Sequence, residues 1–95
     1  MAGYLIVDNQ ITDQDLFDEY ASKIVGVMDA HGGKYLVRGG DTEVIEGDRI
    51  PHRVVVIEFE SVERVRACVN SSEYLALADL RGRSSVTTTF IVEGV

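Results

Sequence analysis

A carboxylate among valines is the first residue in this chain whose setting could do chemistry. In the run His52-Arg53-Val54-Val55-Val56-Ile57-Glu58-Phe59-Glu60, an extended backbone sends alternate side chains to opposite faces. Val55, Ile57 and Phe59 then share one side, and Val54, Val56 and Glu58 the other. A carboxyl group held in apolar surroundings has a raised pKa and can serve as a general acid or base. Glu58 is therefore the candidate catalytic residue. The competing reading is an ion pair with Arg53 or Arg38 across an interface, which leaves Glu58 a structural role.

Arg38 precedes Gly39-Gly40, and an arginine beside exposed backbone can grip a carboxylate through two parallel hydrogen bonds. Its plainer role is a surface salt bridge to one of the many acids. Tyr35, Tyr74 and Tyr4 could offer phenol groups to a cavity, although buried tyrosines commonly contribute area and one structural hydrogen bond. Arg38, Arg53, Tyr35 and Tyr74 are the candidate ligand-binding residues. Arg81 and Arg83, in Arg81-Gly82-Arg83-Ser84-Ser85, form a small basic loop, read either as an anion site or as charge balance in an acidic protein.

No metal or cofactor is expected. His31 and His52 lack a third ligand at suitable spacing, and His31 can instead stabilise the negative end of a helix. No phosphate loop, GxGxxG, HExxH, CxxC or GxSxG pattern occurs in the sequence, so the usual short signatures of nucleotide, zinc and acyl chemistry are missing. The lone Cys68 falls mid-helix without a local activator and reads as a buried structural thiol.

These residues must be positioned by a chain of 95 residues, which suits one domain with one modest core. Nine basic against sixteen acidic residues give a formal net charge of −7, which repels nucleic acid and anionic membrane surfaces. No apolar run approaches the ~20 residues needed to span a bilayer. The opening Met1-Ala2-Gly3-Tyr4 lacks the features of a signal peptide, and a single cysteine fits a reducing compartment, so a cytoplasmic location is expected.

The elements follow from periodicity. Gly3 to Asn9 predicts a first strand, apolar through Tyr4-Leu5-Ile6-Val7. Thr12 is placed as an N-cap with Asp15 three residues on, and Leu16, Phe17, Tyr20, Ile24, Val27 and Met28 recur at the spacing of an amphipathic helix closed by Gly32-Gly33. Lys34 to Arg38 predicts a second strand, interrupted by Gly39-Gly40 and resumed at Glu43-Val44-Ile45-Glu46. A turn at Gly47-Asp48 then makes a hairpin with the strand from His52. Ser61 caps a short helix that Asn70-Ser71-Ser72 breaks, Glu73 to Leu80 is a second helical piece ended by Gly82, and Val86 to Val92 is the fourth strand.

This order is β-α-β-β-α-β, the ferredoxin-like arrangement of class α+β: a four-stranded antiparallel sheet with helices on one face. The other face, carrying Val54 and Val56, has nothing left to cover it. Apolar sheet of that kind marks an interaction surface, and a homodimer through the sheet face is the economical answer.

Tyr35-Leu36-Val37-Arg38-Gly39-Gly40, Glu46-Gly47-Asp48 and Pro51-His52-Arg53-Val54-Val55-Val56-Ile57-Glu58-Phe59 resemble the uncharacterised family known as domain of unknown function 1330 (DUF1330). Ser61, Asn70-Ser71-Ser72-Glu73-Tyr74, Arg81 and the ending Val92-Glu93-Gly94 extend the resemblance over nearly the whole chain. It implies a dimeric α/β barrel in which two ferredoxin-like sheets face each other, and it implies no reaction. Proteins sharing that barrel include cofactor-independent oxygenases, haem-degrading enzymes and lactone isomerases, but fold analogy does not transfer an activity. The chain departs from the pattern where Cys68-Val69 replaces an aromatic pair and Ser72 a proline, which predicts a wider entrance or a different ligand.

The resulting expectation is a cytoplasmic homodimer that binds a small acidic or oxygenated molecule in a cavity of the barrel. Arg38, Arg53, Glu58 and Tyr74 are expected to line it, with Glu58 moving a proton if the protein is an enzyme. The alternative is a non-catalytic structural or interaction homodimer with a filled barrel.

Overall fold

In the computed structural model, which describes all residues from Met1 to Val95, the chain runs β1 (Gly3–Ile11), α1 (Gln14–Ala30), β2 (Lys34–Arg38), β3 (Arg53–Phe59), α2 (Val62–Val69), α3 (Ser72–Leu75), α4 (Ala78–Ser84) and β4 (Ser85–Glu93). The four strands form one antiparallel sheet in the order β2-β3-β1-β4. This is the expected ferredoxin-like α+β arrangement. The helices gather on one face because both crossovers are right-handed. No helix is long and apolar enough to cross a membrane.

The core lies between sheet and helices. Leu5 from β1 and Val55, Ile57 and Phe59 from β3 meet Phe17, Tyr20, Ile24 and Met28 from α1, Val65 and Cys68 from α2 and Tyr74 from α3. The alternation read from the sequence holds: Val55, Ile57 and Phe59 are buried under the helices, while Val54, Val56 and Glu58 point away. Each large apolar side chain removed from water here contributes about 1.5–3 kcal/mol before entropy is counted. α1 therefore owes its stability chiefly to its buried stripe.

Local chemistry fixes the ends of the elements, in places one step from where the sequence predicts. β1 continues to Ile11, and the N–H groups of Thr12 and Asp13 both donate to the Ser84 carbonyl, at 2.9 and 3.2 Å. Asp13 rather than Thr12 is the N-cap, because it is its carboxylate that accepts from the Leu16 N–H, at 3.1 Å. Gly32, at φ 81°, ends α1 as expected, with the Gly33 N–H reaching back to the Met28 carbonyl at 2.8 Å. Ser61 and Ser71 cap α2 and α3.

Two further expectations are corrected. Glu43-Val44-Ile45-Glu46 does not resume a strand: residues 39–52 are irregular, and β2 pairs with β3 only through its five residues, with a register shift between Tyr35 and Val37. The Gly39 N–H still donates to the Val54 carbonyl at 2.8 Å; beyond it the chain leaves the sheet edge, so Glu43–Glu46 has no partner strand. The second helical piece divides into α3 and α4, and Gly82 lies inside α4 instead of ending it.

The outer face of the sheet is bare of helices. In register, Val37, Val56, Ile6 and Phe90 form an apolar row across all four strands. Phe90 is 51% exposed and Val37 41%.

Candidate functional site

Between sheet and helices opens a cleft walled by Leu5, Val7, Val55 and Ile57 on one side and by Phe17, Ala21 and Ile24 of α1 on the other. It holds about 470 Å³ of unfilled space counted out to its open mouth, of which about 40 Å³ can be occupied by the centres of water molecules. That is room for a few waters or a slender ligand. Pockets for drug-sized molecules measure roughly 300–1,000 Å³, so a larger guest requires the side chains at the mouth to swing.

The polar groups at this cleft are unusual for so acidic a protein. Arg38, Arg53 and Arg81, the phenols of Tyr20, Tyr35 and Tyr74, Asn9 and Thr89 line it together with the apolar side chains, and no aspartate, glutamate, histidine or lysine does. None of the three arginines has a carboxylate within 4.0 Å; the chain's ion pairs lie elsewhere, at Lys23–Glu19, His31–Glu73, His52–Asp8 and Arg83–Asp79.

Aromatic rings hold the arginines instead. The Arg38 guanidinium sits 5.2 Å from the centroid of Tyr35, and Arg53 sits 5.1 Å from that of Phe17. Arg81 lies over both Tyr74, at 4.5 Å, and Tyr20, at 5.8 Å, and donates to the Tyr20 hydroxyl at 3.4 Å. Arg53 also donates to Oδ1 of the buried Asn9 at 3.4 Å, and Asn9 in turn donates to Thr87 Oγ1 at 3.0 Å, fastening the guanidinium to β4. Gly39, at φ 73°, leaves the space on the far side: a β-carbon there would stand 2.9 Å from Arg53 Nε.

Electrostatics tells the same story. Burial and then the nearby positive charge of Arg38 push the Arg53 pKa below the usual guanidinium range. Burial raises the phenols of Tyr35 and Tyr74, each opposed by its neighbouring arginines, so both stay protonated at neutral pH and can donate hydrogen bonds. An anion entering the cleft would relieve the repulsion between Arg38 and Arg53 and meet several donors without meeting a like charge.

Of the residues singled out from the sequence, the structure brings Arg38, Arg53, Tyr35 and Tyr74 to one cleft. Glu58 lies elsewhere. Its position on β3 turns it to the outer face, where Oε2 accepts a hydrogen bond from the Tyr4 hydroxyl at 3.0 Å; that bond, with the carboxylate's charge, raises the Tyr4 pKa. His31 and His52 each face one carboxylate, Glu73 at 3.2 Å and Asp8 at 3.8 Å, on separate parts of the surface, and no three metal-ligating side chains cluster. Of the basic loop read either as an anion site or as charge balance, Arg81 joins the cleft, whereas Arg83 pairs with Asp79 at 3.6 Å outside it. Asn9 and Tyr20 are the additions.

The model of the family described as domain of unknown function (DUF1330) matches residues 2–95. The chain belongs to this family. No curated protein sequence matches it. Among solved structures, a protein of unknown function from Rhodopseudomonas palustris superposes with a TM-score of 0.79 at 13% identity, covering 99% of this chain and 82% of that one. SnoaB, a cofactor-independent oxygenase from Streptomyces nogalater, gives a TM-score of 0.72 at 10% identity over 99% of this chain and 93% of its own. A dimeric protein of unknown function with a ferredoxin-like fold from Bacteroides fragilis gives 0.65 at 10% identity, over 98% and 96% of the two chains. At these identities the likeness is one of fold alone.

Proposed function

We propose that this DUF1330 protein is a small homodimer that binds an organic anion in the cleft between sheet and helices of each protomer. The observation that carries the reading is the set of three arginines without a carboxylate at an apolar cleft, in a chain with a formal net charge of −7. Arg53 and Arg81 are half-buried and Arg38 stands exposed at the rim; a partly desolvated guanidinium without a counter-charge is costly, and an anionic ligand would supply that charge. Arg38 and Arg53 take the anionic group, the Tyr35 hydroxyl donates to its oxygens, Tyr74 lines the cleft beside Arg81, and the side chains of Phe17, Ile24, Val55 and Ile57 receive the apolar body.

The homodimer rests on the apolar row Val37-Val56-Ile6-Phe90, which one helical layer cannot reach, and on the dimeric state of the Bacteroides fragilis protein of the same fold. Glu58 and its hydrogen bond from Tyr4 then belong to the joint between two copies. The lone, buried Cys68 accords with work in a reducing compartment such as the cytoplasm.

The cleft offers little for proton abstraction, since its titratable side chains are phenols and guanidinium groups. What its donors suit is holding a negative oxygen, whether the carboxylate of a bound molecule or an enolate formed on it. Binding is thus the primary reading, with any catalysis resting on oxyanion stabilisation.

Calorimetric titration with benzoate tests it. Saturable binding by the wild-type protein, weakened at least tenfold in Arg53→Met and in Arg38→Met, is the expected result. No saturable binding, or equal affinity in all three proteins, would refute it.

A further inference from the structure

We infer that the ligand of this cleft carries two negative groups, one taken by Arg38 and Arg53 and the other by Arg81, with a flat apolar body between them. The inference builds on the anion-binding reading above and adds the second charge. Arg38 and Arg53 come from the ends of β2 and β3, whereas Arg81 comes from α4 on the opposite wall.

Between them lies the ring pair of α1. Arg53 packs on Phe17, Arg81 packs on Tyr20, and the Phe17 and Tyr20 centroids are 5.8 Å apart with their planes tilted by 51°. A single carboxylate gripped by Arg53 and Arg38 leaves Arg81 still without a counter-charge, since its partners are the Tyr74 and Tyr20 rings and the Tyr20 hydroxyl.

Arg81 is not idle surface charge. Arg83, two residues on, turns outward to Asp79 at 3.6 Å, while Arg81 turns into the cleft and is half-buried. A guanidinium packed on the Tyr74 and Tyr20 rings, with one Nη1–H spent on the Tyr20 hydroxyl, has its remaining in-plane N–H donors for an oxyanion at the ring edge. The Tyr74 phenol stands beside it as a further donor, kept protonated by burial. The cleft thus has two cationic stations and an aromatic floor, which match the charge pattern of an aromatic or other planar dicarboxylate, admitted once the side chains at the mouth swing aside.

The test compares benzoate with phthalate, isophthalate and terephthalate by calorimetry, on the wild-type protein and on Arg81→Met. At least one dicarboxylate is expected to bind ten or more times tighter than benzoate to the wild type, and that advantage is expected to fall below threefold in Arg81→Met. Arg81→Lys, which keeps the charge, should recover part of it. If benzoate binds and no dicarboxylate exceeds it tenfold, or if the advantage survives in Arg81→Met, the two-charge inference is overturned while the anion site stands. If none of the four compounds binds, both fall together.

Discussion

Arg53 Nη1 donates to Oδ1 of Asn9 across 3.4 Å, and Asn9 is the one buried amide in the molecule, only 3% exposed. The pair joins β3 to β1, and the second bond of Asn9, to Thr87 at 3.0 Å, carries the brace on to β4. The guanidinium is thereby aimed before any ligand arrives, which limits the ordering cost of binding.

Asn9→Ala removes that brace. The loss of two half-buried hydrogen bonds, one of them to a charged partner, should lower stability by about 1–3 kcal/mol. Benzoate affinity should fall as well, although Asn9 lies behind the arginine. Thermal unfolding and calorimetry read the two effects separately, and a destabilised variant with undiminished affinity would show that Asn9 has no part in positioning Arg53.

Gly39→Ala probes the other side of the same guanidinium. A left-handed alanine at φ 73° costs about 1–2 kcal/mol, and the new methyl group would stand 2.9 Å from Arg53 Nε and 3.2 Å from its Cγ. The arginine can swing away, so the variant should fold with a lowered midpoint and a clearly weaker anion site. Denaturant unfolding and a benzoate titration measure both.

The apolar row on the outer face predicts the behaviour of two charge substitutions. Ile6→Glu and Phe90→Glu each put a carboxylate where two copies would meet, and desolvating it there costs roughly 3 kcal/mol or more. Analytical ultracentrifugation should find a dimer for the wild type and a monomer for either variant. A wild-type protein that sediments as a well-folded monomer at every concentration would remove the basis for the dimer.

Cys68 supplies a prediction in pH. Burial, followed by the charge of Glu73, pushes its thiol from the ordinary 9.0 up to about 11. A pKa raised by folding means that the unfolded chain loses the proton first, so the contribution is whole below pH ~9 and declines as the pH climbs towards 11. Cys68→Ser should unfold with a flatter profile between those limits than the wild type. A thiol reagent at pH 8 should label the wild-type protein only as fast as the chain opens.

Much of this fold could be read from residue order, and the reasons are local. β3 announced its two faces through alternation, α1 its buried stripe through spacing, and Ser61 its cap through chemistry; each is decided by neighbours within a few positions. Where the outcome depends on distant chain, reading failed: Glu43–Glu46 has apolar residues but no partner strand, and Thr12 lies just past the end of β1, whose pairing with β4 runs on to Ile11 opposite Ser85, so the cap falls to Asp13. The site divides in the same way. Parity along β3 already separates Arg53 from Glu58, since odd and even positions face apart, so the two could not share a cleft. That α4 would turn Arg81 inward and leave Arg83 outside could not be read, because nothing within Arg81-Gly82-Arg83 distinguishes them; Tyr20 and Tyr74, from elsewhere in the chain, do.

A last consequence concerns β3, which has no inert side. Val55 and Ile57 wall the cleft while Val54 and Val56 lie on the outer face, and a single peptide layer separates the two. A substitution that shifts the β3 backbone therefore displaces the pocket wall and the outer face together.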